Sequence, residues 1–394
     1  MRATGFKCLV CGKEVQLKKS LYVCPDCGGN LDVVYDYKKL SRKKISSSRE
    51  LSIFRYRDLL PIQEKSSLPL KIGYTPLYKR SFWGLNNLYL KDDTKNPSAS
   101  FKDRGSSVPL IIAMERKEKI VTGASTGNAG SSMACLSASV GMPCIIFVPH
   151  TAPQAKIAQL LIFGAKVVAV RGTYDEAFDL CLKVSERLGL FNRNTGYNPW
   201  TREGKKTVSF EIAEQLEWES PDTVFVPVGD GNIISGVWKG FKDLYASGLI
   251  DKLPRIVAVQ SAQSNAVHKS WEKLKAGSEN SKTINWKEVT VETVQATTMA
   301  DSISVDLPRD GIAALRAISE SRGFSLEVTD ENIKETIKFL AKTSGIFAEP
   351  AGAASLAGIK EAVDKKMVKP GEKIVSLITG NGLKDIKTAL SIAG

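Results

Sequence analysis

Two histidines in 394 residues leave little room for chemistry built on an imidazole. His150 and His268 stand in no recognisable motif, so a Ser-His-Asp hydrolase has no support and a lysine becomes the better candidate base. Long hydrophobic runs are also missing. Stretches such as Val108–Met114 and Cys144–Val148 fall far short of the roughly 20 apolar residues that span a bilayer. The N-terminus reaches Lys7 and Cys8 without the apolar core of a signal peptide, which predicts a cytoplasmic protein. Neither GxGxxG nor GxxxxGKS/T occurs, so dinucleotide and Walker-type nucleotide sites lose support. Tandem repeats and low-complexity segments are absent too.

Positive charge is present in excess: 55 Lys+Arg stand against 42 Asp+Glu, a formal +13. Residues 1–50 alone hold 11 basic and 5 acidic side chains, nearly half of that excess. Nucleic acid or an anionic small molecule would each account for it. No aromatic-interleaved basic stripe and no recognition helix is visible, which argues against nucleic acid and for an anionic small-molecule substrate. A hydrophobic content of 43% with 25% charged residues fits a globular chain, and its length fits two domains with a small appendage.

The seven cysteines are odd in number, which suits a reducing compartment better than a disulfide framework. Four of them form two knuckles, Cys8-x-x-Cys11 and Cys24-x-x-Cys27, each followed by glycine. Paired CxxC spacing supplies four thiolates for a tetrahedral zinc, the zinc-ribbon pattern. Such a site has no open coordination position, so the zinc is expected to be structural. The thiolates leave it with net negative charge, which the neighbouring lysines offset. Residues 1–40 are therefore expected to form the ribbon, and 41–69, with Ser41-Arg42-Lys43-Lys44-Ile45-Ser46-Ser47-Ser48, a linker.

Beyond residue 70 short apolar strands alternate with helical periods. Strands are expected at 120–124, 144–148, 166–170, 223–228, 256–260 and 373–379, and helices at 127–140, 154–163, 174–188, 233–245, 331–344 and 351–363. That alternation predicts an α/β architecture with parallel sheets. Ligands in such folds gather where strands end and helices begin. Three small-residue loops occupy such places: Gly123-Ala124-Ser125-Thr126-Gly127-Asn128-Ala129-Gly130, Gly229-Asp230-Gly231-Asn232, and Thr379-Gly380-Asn381-Gly382-Leu383-Lys384-Asp385. Backbone amides at a helix start cradle anions, though each loop taken alone is equally explained as turn chemistry. A fourth run, Asn96-Pro97-Ser98-Ala99-Ser100-Phe101-Lys102-Asp103-Arg104-Gly105, presents Lys102 at the mouth of a helix, where dipoles and Arg104 are expected to disfavour its charge. A lysine that loses its proton readily attacks carbonyls and forms Schiff bases; the alternative is an ordinary surface lysine in a capping loop.

NPSASFKDRG, GASTGNAG, GDGN and TGNGLKD, in this order, resemble the threonine synthase family of fold-type-II pyridoxal-phosphate enzymes. The similarity includes Asn198-Pro199-Trp200-Thr201-Arg202-Glu203-Gly204-Lys205-Lys206-Thr207, Ala300–Val305 and Glu349–Ala353, and covers roughly residues 70–390. It implies the tryptophan synthase β-like architecture: a large domain of residues 70–94 and 206–394, and a small domain of residues 95–205 that carries the lysine. It implies that Lys102 forms the Schiff base with pyridoxal phosphate and shuttles protons. Asn128 would lie beside the phenolic oxygen, and the backbone of Gly229, Asp230, Gly231, Asn232 and Ile233 would hold the cofactor phosphate. Thr379 would meet the pyridine nitrogen. Ser125, Thr126, Ala129 and Asn198 would contact the substrate.

The family's substrate-phosphate arginine falls where Thr201 stands here, with Arg202 next to it. If these residues are in a strand, neighbours face opposite ways. Arg202 then either reaches the phosphate through a local shift or is a solvated charge, with Lys156 another basic candidate. The implied reaction is O-phospho-L-homoserine plus water to L-threonine plus phosphate, in a homodimer. The alternatives are a serine/threonine dehydratase or β-replacement enzyme, and a zinc-ribbon binding or scaffold protein.

Overall fold

The computed structural model describes residues 2–18, 21–152, 154–278 and 284–393. Three sheets organise them. The N-terminal sheet is antiparallel, with β1 (Arg2–Cys8) between β2 (Glu14–Gln16) and β3 (Leu31–Asp36). The chain then makes the hairpin of β4 (Leu77–Phe82) and β5 (Leu85–Asp92), and leaves it for a second sheet. That sheet is parallel, formed by β6 (Val121–Ala124), β7 (Cys144–Pro149), β8 (Lys166–Val170) and β9 (Phe191–Asn192) in the order β8-β7-β6-β9. It returns through β10 (Thr223–Pro227), β11 (Arg255–Ser261), β12 (Phe324–Val328) and β13 (Ile374–Ile378). These complete a six-stranded sheet, β12-β11-β10-β13-β5-β4, parallel except for its edge strand β4.

The central strand β10 shows why the expected parallel sheets form. All five of its residues, TVFVP, are buried, because helices cover both faces of the sheet. Val224 and Val226 pack with helices Asn232–Ala246 and Gly311–Glu320. Phe225, pointing the other way, joins helices Asp330–Ser344 and Pro350–Asp364. No described helix is long and apolar enough to cross a membrane.

Two expectations need correction. Residues 41–69, expected as a linker, carry helix Arg42–Ser46 and the 3-10 segment Ile53–Leu59, and Ile53, Tyr56 and Leu59 are almost fully buried. The polar serine and lysine run masked an apolar spacing that packs against the body. Residues Trp200–Lys205 form a helix rather than a strand, so Thr201 and Arg202 point about 100° apart and not to opposite faces.

The ribbon is also no loose appendage. Phe6 packs edge-on against Trp200 with ring centroids 5.3 Å apart. The Lys239 ammonium donates to the Val33 carbonyl at 2.8 Å, and Tyr35 hydrogen-bonds the buried Glu203 carboxylate. The ribbon thus sits on the helix pair Trp200–Lys205 and Asn232–Ala246, whose opposite ends reach the cavity described next.

Candidate active site

Helix Lys102–Glu115 begins at the lysine itself. The loop before it is tied down at several points. The Asp103 carboxylate accepts from the Ser98 amide at 2.6 Å, and Ala99 takes a left-handed φ of 61°. The Phe101 amide donates to the Thr379 carbonyl at 2.8 Å and the Asn381 amide to the Ala99 carbonyl at 3.0 Å. The lysine loop is therefore stitched to the loop that leaves β13. Among the described residues, the Lys102 ammonium makes no hydrogen bond or ion pair.

Burial holds the Lys102 amine below its usual range, and the Arg193 guanidinium lowers it further, against the opposing pull of Glu349 and Asp230. Arg104, expected to exert that push, does not. Its guanidinium is spent on Asp93 at 2.6 and 2.9 Å and on Glu211 at 2.5 and 2.7 Å, all fully buried. It braces the helix instead.

Lys102 opens into a cavity of about 390 Å³, within the usual range for small-molecule sites. Its walls include Ser125, Thr126, Gly127, Asn128 and Ala129 from the loop after β6, and Gly229 to Ile233 from the loop after β10. Each loop opens a helix, Asn128–Ser139 and Asn232–Ala246, so main-chain N–H groups and the positive dipole ends face the space. The glycines of the second loop are required by contact. A Cβ on Gly231, whose φ is 91°, would lie 2.6 Å from the Asp310 carbonyl oxygen, and one on Gly229 would lie 2.8 Å from Ile303 Cα.

The Asn128 amide donates to both Glu349 oxygens at 2.8 and 3.0 Å and to the Ser302 hydroxyl at 3.1 Å. Burial raises the Glu349 carboxyl. The Asp230 carboxylate, awkward in an anion cradle, is turned to accept from the Arg309 amide at 2.6 Å. Burial and nearby Asp310 push its carboxyl up to about 7, so the cradle carries less negative charge than its sequence suggests.

The model of pyridoxal-phosphate dependent enzymes matches residues 68–380. The chain belongs to that family. Within it the chain stands among threonine synthases. It is 37% identical to the threonine synthase of Methanocaldococcus jannaschii, over 98% of this chain and 94% of that one. It is 36% identical to that of Methanosarcina acetivorans over 98% and 93%, and 34% identical to that of Mycobacterium leprae over 86% and 89%. Among solved structures, the processed threonine deaminase isoform 2 of Solanum lycopersicum superposes with a TM-score of 0.66 at 22% identity, covering 95% of this chain and 98% of that one. Maize serine racemase gives 0.64 at 23% identity, covering 81% and 91%.

The residues of this family member fit pyridoxal phosphate. A cavity-facing amine without a protein partner is available to its aldehyde. A glycine cradle at a helix N-terminus is available to its phosphate, and the buried Lys205 ammonium on the cavity wall has no protein partner. Thr379 directly follows β13 and is tied to the lysine loop through its carbonyl.

Two of the expected substrate residues lie elsewhere. The Asn198 amide donates to the Asn192 carbonyl at 2.7 Å and its oxygen accepts from the Trp200 amide at 2.9 Å, so it shapes the turn into helix Trp200–Lys205. Arg202 is neither a solvated charge nor part of the cavity lining. It is buried and donates to Asp310 at 2.7 and 2.9 Å, to Asp32 at 3.0 Å and to the Leu31 carbonyl at 3.0 Å. Lys156 pairs with Asp301 at 2.6 Å at the cavity rim. Glu349, Asp310, Arg193 and Lys205 were missed by sequence reasoning. Lys205 and Glu349 each carried a signal, since both stand in segments that resemble the family; Asp310 and Arg193 did not.

At the other end of the ribbon, the sulfurs of Cys8, Cys11, Cys24 and Cys27 all lie within 4.8 Å of one another. Burial disfavours the Cys8 thiolate in the metal-free cluster, and the amides of Val10 and Cys11, each 3.4 Å from its sulfur, partly oppose that.

Proposed function

We propose that the protein is a threonine synthase, converting O-phospho-L-homoserine and water to L-threonine and phosphate. The observation that carries this reading is the lysine-centred cavity between two helix N-termini, in a chain whose threonine synthase relatives align over nearly its whole length. Two anion-favouring helix ends facing one amine suit a substrate with a carboxylate and a phosphate, together with a phosphorylated cofactor.

Pyridoxal phosphate, when bound, supplies the electron sink that makes hydrogens on the substrate carbons acidic. The side chains do the rest. Lys102 would hold the cofactor and would take and return protons at Nζ; its amine, lowered by burial, gives up a proton more readily than an ordinary lysine. The N–H groups of Gly229, Asp230, Gly231, Asn232 and Ile233 would hold the cofactor phosphate. Asn128, oriented by Glu349, would meet the phenolic oxygen, and the Thr379 hydroxyl would serve the ring nitrogen. Ser125, Thr126 and Ala129 receive the substrate carboxylate. Phosphate leaves Cγ, the hydroxyl of water adds at Cβ, and protons held at Lys102 return to carbon.

The four cysteines are assigned a structural zinc. A closed tetrathiolate site leaves no position for substrate, and the ribbon it staples braces the helix pair behind the cavity.

Phosphohomoserine, serine and threonine, each incubated with the cofactor-loaded protein and assayed for phosphate, threonine and oxo acid, test the reading. Equal release of phosphate and threonine from phosphohomoserine is expected. Oxo acid from the hydroxy-amino acids, with no threonine from phosphohomoserine, would instead make the protein a dehydratase.

A further inference from the structure

Lys205 is the last residue of helix Trp200–Lys205, and its whole side chain is inaccessible to bulk solvent. A buried ammonium is costly unless it is paired. Every other fully buried lysine in this region has a carboxylate: Lys91 pairs with Glu211 at 2.7 Å and Lys206 with Asp243 at 2.6 Å. Lys205 has none, and its Nζ lacks any hydrogen-bond partner while its side chain lines the cavity.

Packing fixes the course of the side chain. A Cβ on Gly236 would meet Lys205 Cβ at 2.8 Å, and one on Gly105 would meet Lys205 Cε at 2.6 Å. The side chain thus runs between two glycines, one on each flanking helix, and these leave a channel just wide enough for it. Gly105 lies three residues after Lys102 on the same helix face, so the end of the Lys205 side chain passes about one turn from Lys102, near enough for the two amines to repel. The cofactor's own phosphate has the glycine cradle and helix dipole of Asn232–Ala246.

We propose that Lys205 is the specificity residue that recognises the phosphate ester of the substrate. This rests on the threonine synthase reading and deepens it. The helix that carries Lys205 holds Thr201 where the family places a phosphate-binding arginine, and turns Arg202 away to the ribbon. Lys205 therefore offers the cation that this helix would otherwise withhold. Its cost to the empty fold is the counterpart of its use: burial and the Lys102 charge drive its ammonium well below the normal range until an anion arrives.

Lys205→Met and Lys205→Gln, studied as cofactor-loaded enzymes, test the assignment. A charge-assisted hydrogen bond lost from a buried site predicts a rise of about 10- to 100-fold in KM for phosphohomoserine. The dissociation constant of inorganic phosphate, measured by calorimetry, should rise in parallel, while cofactor affinity changes by less than about threefold. The cofactor-free Lys205→Met protein should melt no lower than wild type, because a buried amine without a hydrogen-bond partner has been removed. Gly105→Ala, which displaces the ammonium without removing it, should raise KM in the same direction.

Unchanged KM and phosphate binding would overturn the proposal. So would loss of cofactor affinity matching the loss of phosphate binding, which would give Lys205 to the cofactor. Wild-type enzyme that binds inorganic phosphate through Lys205 yet makes no threonine would sink the reaction assignment and leave the anion site standing.

Discussion

Breaking the link between Arg202 and Asp310 should be among the most damaging polar changes in the molecule. Arg202 is 2% exposed and Asp310 0%, and two bonds of 2.7 and 2.9 Å join them. The Asp310 carboxylate also accepts from the Asn232 amide at 2.8 Å and the Ser235 hydroxyl at 2.9 Å, holding the first turn of the cradle helix. Arg202→Met strands that carboxylate, and losing one partner of a buried pair costs about 3–5 kcal/mol. Asp310→Asn removes the charge but leaves Arg202 its contact with Asp32, so it should cost less. Because both single changes remove the same Arg202–Asp310 interaction, the double variant should cost less than the sum of the two, by roughly 1–3 kcal/mol. Urea unfolding followed by tryptophan fluorescence reads all three, with Trp200 beside the site as reporter. Lys360→Met, which breaks a surface pair whose partners are 45% and 54% exposed, provides the contrast at under about 1 kcal/mol. Strict additivity of the two buried changes, or a loss no larger than the surface control, would refute the reasoning.

Lys102→Ala should leave the fold intact while abolishing the visible absorption acquired with pyridoxal phosphate, and with it turnover; retained colour and activity would mean another lysine is used. Asp230 predicts a pH dependence. Its carboxyl is pushed up to about 7 in the cofactor-free fold, against an unfolded value of about 4. The folded state therefore keeps a proton that the unfolded chain has released, so this term lowers stability as pH rises from about 4 to 7 and is flat above. Melting temperatures of wild type and Asp230→Asn across that range should differ in slope, and parallel curves would remove Asp230 from the account. Chelating the metal, or Cys24→Ser, should release the ribbon and shift Trp200 emission as its contact with Phe6 is lost; metal analysis should find one zinc per chain in the untreated protein.

The features legible in the sequence were those written locally. Lys166–Val170 and Tyr174–Leu188 occur with the expected bounds, because β-branched runs and a Thr173 capping box need no distant partner to be recognised. The β4–β5 hairpin escaped notice since its alternation is weak and its tight turn rests on Gly84, φ 79°, beside Trp83 at φ 52°. The lysine loop and both helix-opening loops converge on one cavity, as strand-end placement in a parallel sheet requires.

Charge partnership is what the sequence could not express. By itself the chain determined its parallel α/β class, its family and the paired CxxC knuckles, and singled out Lys102 as the candidate Schiff-base lysine, since each is carried by short spacing that local backbone geometry preserves. Only the tertiary structure decided which cations are spent and which are free. Arg104, two residues after Lys102, is neutralised by Asp93 and by Glu211, the latter 107 positions away. Arg202 is claimed by Asp310, 108 positions away, and by Asp32 in the ribbon. Lys205, from the same short helix, is left facing the cavity without a counter-ion. A Coulomb interaction depends on distance and on the water excluded between the charges, and both are properties of the packed molecule.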